Sequence, residues 1–287
     1  MKGYVFIDGK LVPSEEAKIS VYDHGFLYGD GIFETMRSYD GKIFKIKRHL
    51  ERINDTAKIL EMKIPWTRVQ MEEAIYQTIA KNNLLENGYI RLSITRGVGP
   101  IGIDPEVCEL PTIIIMTKEL KIDPQIYNCG IDAIVVKTLR NSIESTDPRL
   151  KTMNFLNNVI AKMEVKKVGA TEGIMLNAKG DVAEATVSNI FVYQEGVLKT
   201  PSIETGILPG ITREIVLELS TRITKTIECT LKPQDLFNAE EIFLTNSISE
   251  IIPVTSLNGK TIATGAPGAL TKMIHQEYRS LVALSTK

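Results

Sequence analysis

The apolar positions of the chain recur with two different periods, which predict strands and helices. Two short apolar runs, 4–7 and 11–12, flank Asp8-Gly9. Asp-Gly is among the strongest signals for a hairpin turn, so a sheet is predicted to begin at residue 4. Residues 89–96 alternate apolar and polar positions as a half-buried strand does, and 112–117 is a continuous apolar run typical of a buried strand.

Three segments carry apolar residues at helical spacing instead. The first segment, 44–64, places on one face Leu50, Ile53, Ala57 and Leu60. The second, 67–82, is predicted to turn inward Val69, Ala74, Ile75 and Ile79. The third follows Lys151, ends near Gly169, and is predicted to bury Leu156, Val159, Ile160 and Met163.

The second half of the chain adds further strands and helices. The pattern predicts strands over 131–138, 173–193 with a turn inside it, and 241–247, and helices over 214–223 and 268–281. Strands surrounding two helices indicate an α+β fold for the first 120 residues. We therefore predict a domain over 1–120, a linker over 121–131 that contains Pro124, and a second domain over 132–287.

Composition excludes several classes of function. The 287 residues include 34 basic and 35 acidic ones, so the net charge of −1 offers no general attraction to nucleic acid or to an anionic membrane. No apolar run approaches the roughly 18 residues of a membrane span, and the amino terminus lacks a signal sequence, so we expect a cytoplasmic protein. Three separated cysteines and three histidines predict neither a disulfide framework nor a metal site.

The two glycine-rich segments of the chain do not by themselves identify a function. Residues 19–37 contain Gly25, Gly29 and Gly31 and are predicted to form a loop followed by an edge strand. This segment neither follows a buried strand nor opens a helix, which argues against dinucleotide binding. Residues 97–105 form a loop rich in glycine and proline, of the kind that often shapes the mouth of a pocket.

Four features of the chain together answer the needs of pyridoxal phosphate, which are a Schiff-base lysine, an acid for the pyridine nitrogen and a phosphate cradle. Lys151 precedes a helix and would become a nucleophile if the fold desolvated it. Gly210-Ile211-Thr212 opens a helix, where backbone N–H groups favour a phosphate, although Thr212 could equally serve as a simple helix cap. Residues 245–247 could add further donors or form an ordinary turn.

After Lys151 and the 210–212 cradle, the other two of the four features are the charged side chains of Glu184 and Arg52. Glu184 lies among small and apolar residues, so that, if it faces inward, it needs a cationic partner such as a pyridinium nitrogen; otherwise it is an edge glutamate in water. Arg52 could bind a phosphate with its fork of donors or could be a helix-surface arginine.

These residues resemble the fold-type IV family of pyridoxal-phosphate enzymes. The family contains branched-chain aminotransferases, D-amino acid aminotransferases and aminodeoxychorismate lyases. The resemblance extends over nearly the whole chain, in seven ordered blocks: DHGFLYGDGIFETMR at 23–37, HLERINDTAK at 49–58, YIRLSITRGVG at 89–99, LKTMNFLNNVIAK at 150–162, DVAEATVSNIF at 181–191, TGILPGITRE at 205–214 and FLTNSISEIIPV at 243–254.

The resemblance implies a two-domain fold with a smaller N-terminal α/β domain and a larger C-terminal pseudo-barrel domain. It implies that Lys151 is the catalytic Schiff-base lysine and that pyridoxal phosphate is the cofactor. It further implies that the cofactor is bound by Arg52, Lys151, Glu184, Leu208, Ile211, Thr212, Ser247 and Ile248.

Substrate residues are also implied by the resemblance. They are Tyr28, Arg37, Tyr89 and Arg91, with Arg91 suited to a substrate carboxylate. The resemblance implies a homodimer in which the partner subunit supplies the 23–37 segment, so that Tyr28 acts in trans. It implies no nucleic acid or membrane partner.

Choice among family members depends on the first half of the chain. Ile101 and Ile103 stand where bacillary D-amino acid aminotransferases carry an arginine and a histidine, which counts against that pattern. Thr35 matches aminodeoxychorismate lyases, but Ile101 also replaces an arginine that some lyases carry. Because Phe33, Ile101 and Ile103 would make the pocket apolar, we expect an aminotransferase for branched-chain or other hydrophobic amino acids, with the lyase and a D-amino acid aminotransferase as alternatives. A binding protein without catalysis is disfavoured, since Lys151 and Glu184 are both present.

Overall fold

The computed structural model describes residues 3–286, and the chain divides into two compact units. Within the described residues, the first unit contains 3–121, the short segment Leu150–Asn154 and 285–286. The second contains Ile122–Arg149 and Phe155–Leu284. The predicted second domain was continuous from residue 132, whereas the structure groups Leu150–Asn154 with the first unit.

The first unit is built on an antiparallel sheet. Its strands are β1 (Tyr4–Ile7), β2 (Lys10–Pro13), β3 (Gly31–Tyr39), β4 (Lys42–Ile43), β5 (Gly88–Thr95) and β6 (Ile113–Glu119). Their order in the sheet is β2-β1-β6-β5-β3-β4. Asp8 and Gly9 adopt φ angles of 46° and 91°, as a tight two-residue hairpin turn requires, so the predicted hairpin is confirmed.

The described part of this unit contains three α-helices and a short 3₁₀ helix over Pro105–Val107. The α-helices are α1 (His24–Tyr28), α2 (Ile46–Ile59) and α3 (Arg68–Lys81). As predicted, Leu50, Ile53 and Ala57 of α2 are buried in the core. The inward position predicted for Val69 is wrong, since this side chain is 64% exposed. Thr67 caps α3, and Met71 is the first core residue of that helix.

The edge of β3 is covered by the short segment that contains Lys151. The Phe33 N–H donates to the Lys151 carbonyl at 3.0 Å, and the Met153 N–H donates to the Gly31 carbonyl at 2.8 Å. A Cβ on residue 31 would lie 2.7 Å from the Met153 sulfur, so glycine is what allows this close approach. The backbone of β3 therefore fixes the position of Lys151.

The second unit contains a mixed sheet. Its strands are β7 (Ile131–Val135), β8 (Glu172–Leu176), β9 (Val182–Ala185), β10 (Asn189–Gln194), β11 (Val197–Pro201), β12 (Lys225–Cys229), β13 (Glu241–Asn246), β14 (Glu250–Leu257) and β15 (Lys260–Thr261). The order is β12-β11-β10-β13-β14-β7-β8-β9, with β15 paired to β14. The terminal strand β9 also approaches β10, so the sheet curls back toward itself around an apolar core.

Five helices accompany this sheet. They are α4 (Gln125–Cys129), α5 (Leu156–Lys167), α6 (Ile211–Ser220), α7 (Pro233–Phe237) and α8 (Ala269–Thr286). Residues 3–286 contain no helix with the length and hydropathy needed to cross a membrane. The segment predicted as a linker, 121–131, contains α4, whose Tyr127 hydroxyl donates to the Ser249 carbonyl at 3.2 Å.

The buried face predicted for α5 is wrong. The four apolar side chains expected in the core are 45–70% exposed: Leu156, Val159, Ile160 and Met163. The face that packs instead carries Asn158, Ala161 and Val165. Asn158 donates to the Thr186 carbonyl at 2.7 Å, and Val165 packs so near Gly173 that a side chain there would clash, so α5 uses its narrow face to approach β8 closely. The wide apolar face is left outward.

Candidate active site

One face of the sheet in the first unit collects most of the predicted substrate residues. The register of β3 with β5 sets Phe33 opposite Ser93, Thr35 opposite Arg91 and Arg37 opposite Tyr89. Residues two apart on a strand share a face, and directly opposed residues of an antiparallel pair do too. Phe33, Arg37, Tyr89 and Arg91 therefore project from the face opposite to the core residues Ile32 and Met36.

Lys151 lies beside this face. Its Nζ is 4.6 Å from the centroid of the Phe33 ring, and the Cζ of Arg91 is 3.8 Å from the same centroid. Phe33 is only 4% exposed, so its ring gives the lysine amine an apolar neighbour. An apolar neighbour and a nearby cation are two conditions that make a lysine amine nucleophilic.

Arg52 is held on the core side of β3 by a buried carboxylate. The Arg52 Nε donates to Glu34 Oε1 at 2.6 Å and Nη2 donates to Oε2 at 2.8 Å. The His49 Nδ1 lies 2.7 Å from Oε2. The Glu34 side chain is fully buried and that of Arg52 is 13% exposed. Arg52 is thus not a freely solvated surface arginine.

The protonation states of this cluster follow from its geometry. Burial raises the pKa of Glu34, but Arg52 and His49 outweigh it and hold that pKa well below its usual range. Burial lowers the pKa of His49 although Glu34 opposes the effect, and Arg52 and Lys151 lower the His49 pKa further. An ionised Glu34 can only accept hydrogen bonds, so the proton on neutral His49 resides on Nδ1.

Tyr28 and Arg37 occupy more exposed positions. Tyr28 ends α1, is 37% exposed, and its hydroxyl accepts from the Gly102 N–H at 2.9 Å, which links α1 to the 97–105 loop. Ile101 and Ile103 of that loop are 77% and 85% exposed. Arg37 Nε donates to Asn87 at 3.3 Å.

In the second unit Glu184 is buried and faces several donors. Its Oε1 accepts from Arg140 Nε at 2.8 Å, and its Oε2 accepts from Asn189 Nδ2 and from the Leu208 N–H, both at 3.1 Å. The alternative of an edge glutamate in water is therefore wrong. Leu208 contributes its backbone to this network, since its carbonyl also accepts from Asn189 at 2.9 Å.

The amino terminus of α6 is suited to an anion. Gly210 occupies the N-cap position and supplies no capping side chain, while Ile211 and Thr212 are the first two helical residues and are buried. The alternative in which Thr212 caps the helix is wrong, because that position belongs to Gly210. A Cβ at residue 210 would lie 2.0 Å from Asn189 Oδ1, so glycine at this position allows the close approach of the Asn189 side chain.

The turn after β13 carries Ser247 and Ile248. The Ile248 N–H donates to the Asn246 side chain at 2.9 Å, and Ser247 is half-buried. Glu250 follows with a φ of 59° and accepts from His275 and Arg279 of α8, which fixes the end of the turn. Thr245 pairs with Asn189 across the strands, and its buried Oγ1 has no hydrogen-bond partner among the described residues.

Sequence reasoning missed four residues of these networks. They are Glu34, His49, Arg140 and Asn189. Glu34 carried a usable signal, because it is the charged residue at an inward position of an otherwise apolar alternation, Ile32, Glu34, Met36. No comparable pattern in the sequence points to Arg140, since this residue lies in an irregular segment after β7.

Comparison with known proteins identifies the family. The family model described as amino-transferase class IV matches residues 31–257. The chain belongs to the class IV aminotransferases. It is 40% identical to a putative branched-chain-amino-acid aminotransferase of Methanocaldococcus jannaschii, with 96% of each chain covered. It is 31% identical to the aminodeoxychorismate lyase of Bacillus subtilis, over 97% of this chain and 96% of that one.

Solved structures agree with this membership. The branched-chain amino acid aminotransferase of Escherichia coli matches with a TM-score of 0.94 and 30% identity, over 98% of this chain and 95% of that one. The enzyme of Thermobaculum terrenum, solved in its PLP-form, matches with a TM-score of 0.88 and 25% identity, over 98% of this chain and 94% of that one. The predicted fold-type IV fold of this class IV aminotransferase is confirmed.

Proposed function

We propose that this protein is a pyridoxal-phosphate-dependent aminotransferase that moves an amino group between a branched-chain or other hydrophobic amino acid and a keto acid such as 2-oxoglutarate. The observation that carries the proposal is the Lys151 amine, 4.6 Å from the buried Phe33 ring that Arg91 also contacts. The branched-chain aminotransferases among its relatives support the substrate class.

The chemistry of the donors fits pyridoxal phosphate. In the first unit, Lys151 offers an amine and Arg52 a guanidinium that Glu34 holds in a fixed orientation. In the second, Glu184 is a buried carboxylate and α6 begins without a capping side chain, as a phosphate site requires. The buried Oγ1 of Thr245, which has no partner within residues 3–286, is a further polar group on the Asn189 side of the sheet. Arg52, Ile211, Thr212 and Ser247 would hold the phosphate, and Leu208 would lie against the ring.

Each residue has a role that follows from its surroundings. When bound, pyridoxal phosphate withdraws electrons from the substrate Cα and carries the amino group between the two half-reactions. β3 anchors the backbone of Lys151 through the hydrogen bond from the Phe33 N–H, and the Lys151 amine would accept and return the proton at Cα. Glu184 keeps the ring nitrogen protonated. Arg91 on the same face as Phe33 would bind a substrate carboxylate with its guanidinium.

We further propose that the enzyme acts as a homodimer and that Tyr28 contributes to the active site of the partner subunit. The first unit exposes an apolar patch on α1, on the turn before it and on the 97–105 loop: Val21, Tyr22, Phe26, Val98, Ile101 and Ile103, each more than 50% exposed. Single exposed apolar residues are normal on a protein surface, but six in neighbouring segments form a larger apolar patch than such scattered residues account for. The three free cysteines support a cytoplasmic location, where thiols stay reduced.

Aminodeoxychorismate lyase is the second candidate function. It is favoured by the similarity to the Bacillus subtilis lyase and by Thr35, which stands directly opposite Arg91. Both enzymes would use the same lysine and differ in the bond that breaks. A D-amino acid aminotransferase differs only in how the donor is oriented.

The test is a side-by-side assay of the holoenzyme with L-leucine, D-alanine and aminodeoxychorismate. We expect keto acid from L-leucine in the presence of 2-oxoglutarate, at a rate at least about a hundredfold above that of Lys151→Ala, which lacks the amine. Exclusive release of 4-aminobenzoate and pyruvate would identify a lyase. Turnover of D-alanine in place of L-leucine would identify the D-specific enzyme.

A further inference from the structure

A buried arginine faces Glu184 within the second unit. Arg140 follows β7, and the side chains of Arg140 and Glu184 are 9% and 6% exposed. The Arg140 Nε donates to Glu184 Oε1 at 2.8 Å. Solvent and salt screen a buried pair much less than a surface pair, so each charge strongly affects the other.

Arg140 is itself fixed by its neighbours. Its backbone N–H donates to the Leu176 carbonyl at 2.8 Å, which ties it to the end of β8. Its Nη1 donates to Asn157 Oδ1 at 3.3 Å, and Asn157 donates to the Leu139 carbonyl at 2.8 Å. The backbone of Arg140 is therefore held by the end of β8, and its guanidinium by the first turn of α5.

The two oxygens of Glu184 have different partners. Arg140 donates to Oε1, whereas Asn189 and the Leu208 N–H donate to Oε2. Donors on both oxygens fix the plane of the carboxylate. A hydrogen bond from a charged donor also stabilises the ionised carboxylate over the neutral acid.

We propose that Arg140 is a positioning residue that keeps Glu184 ionised and correctly oriented, so that Glu184 in turn keeps a proton on the ring nitrogen of bound pyridoxal phosphate. The inference rests on the proposed function, in which Glu184 faces that nitrogen. A neutral Glu184 would leave the ring nitrogen without a counter-charge, and the ring would withdraw electrons from the substrate less strongly. Arg140 thus acts on the proton-transfer step through Glu184.

The test is a double-mutant cycle of the holoenzyme with Arg140→Gln, Glu184→Gln and both together. For the best amino donor, Arg140→Gln is expected to lower kcat by about 10- to 100-fold, as loss of a charged supporting partner commonly does, with KM changed less than about threefold. In the Glu184→Gln background the same change is expected to cost less than about twofold, because the residue it acts through is already lost.

A second measurement does not depend on turnover. Arg140→Gln should still bind pyridoxal phosphate, and the pH at which the visible absorption of the holoenzyme changes should shift. The same substitution in the Glu184→Gln background should leave that pH unchanged. Arg140→Lys, which keeps the charge, should restore most of the wild-type pH profile, and Arg222→Gln, at an exposed pair with Glu218, is the matched control.

Several outcomes would overturn the inference. Equal losses of kcat in the two backgrounds would mean that Arg140 acts independently of Glu184. Loss of cofactor binding and thermal stability with normal kcat in the folded fraction would mean a structural role. If Arg140→Gln does not fold, Asn157→Ala carries the test, since it removes a support of Arg140 and keeps its charge; its smaller loss of kcat should also vanish in the Glu184→Gln background. Normal turnover of Glu184→Gln itself would instead contradict the proposed function.

Discussion

At the scale of single residues, the cluster of Glu34, His49 and Arg52 shows how a buried charge is tolerated. An isolated carboxylate in the core is costly, and an arginine fork together with a neutral histidine offsets that cost. The cluster also holds the Arg52 guanidinium in one orientation, which would preorganise it for the phosphate that we propose it binds. Affinity gained in this way comes from preorganisation more than from new contacts.

We predict that Glu34→Gln weakens both the fold and cofactor binding. Removing one partner of a buried pair costs about 3 kcal/mol of unfolding free energy, because the other charge is left uncompensated. The dissociation constant of pyridoxal phosphate should rise about tenfold, since Arg52 loses its charged support. Urea unfolding and cofactor titration at pH 7 measure the two effects.

The dependence of the unfolding free energy on pH provides a second test with the Glu34→Gln variant. The pKa of Glu34 lies below its ordinary value of 4.5, so its stabilisation is complete above that pH and is lost as the pH falls below it. The wild type should therefore lose unfolding free energy below about pH 4.5 more steeply than Glu34→Gln. Glu51→Gln, at a partly exposed pair on α2, should behave like the wild type.

At the scale of elements, the structure separates what periodicity can predict from what it cannot. The buried face of α2 was predictable because this helix has a single wide apolar stripe, which packs against the core. The packed face of α5 was not, because two faces compete: a wide apolar face and a narrow face with Ala161. The narrow face is the one that packs, because it lets α5 approach β8 closely. Periodicity reports that a face is apolar and does not report what covers it.

The apolar patch that includes Phe26 of α1 leads to a prediction about assembly. Phe26 is 65% exposed in α1, and burying a new aspartate at a subunit interface is unfavourable. We therefore expect Phe26→Asp to shift the protein from dimer to monomer in sedimentation velocity. Val69→Asp, with a side chain 64% exposed on α3, is the matched control and should stay dimeric. A dimeric Phe26→Asp would place the interface elsewhere.

At the scale of the whole molecule, removal of the cofactor should be visible in thermal stability. A ligand at about 100 times its dissociation constant adds about 2.7 kcal/mol to the folded state. For a chain of this size that corresponds to about 5 °C in Tm. We expect protein stripped of pyridoxal phosphate to melt about 5 °C lower, and inorganic phosphate alone to restore part of the loss. Equal melting temperatures would argue against a preformed cofactor site.

The division of the chain shows a further limit of sequence reasoning. The hairpin at Asp8, helices α2 and α3 and the helix opened by Gly210 follow from local patterns, whereas the short helices α4 and α7 and the strands β11 and β12 were not predicted. The grouping of Leu150–Asn154 with the first unit does not, because it depends on hydrogen bonds between Lys151 or Met153 and residues more than a hundred positions earlier. Local patterns carry no information about such distant pairing.

That pairing has a consequence for the order in which the protein is made. On the ribosome, the sheet of the first unit is complete once Lys121 has emerged, but the segment that covers the edge of β3 follows about thirty residues later. At about 5–20 residues per second, the edge of the nascent sheet stays open for about two to six seconds. An uncovered edge invites pairing with other chains. The segment that contains Lys151 therefore also ends the interval in which this edge of β3 is open to such pairing.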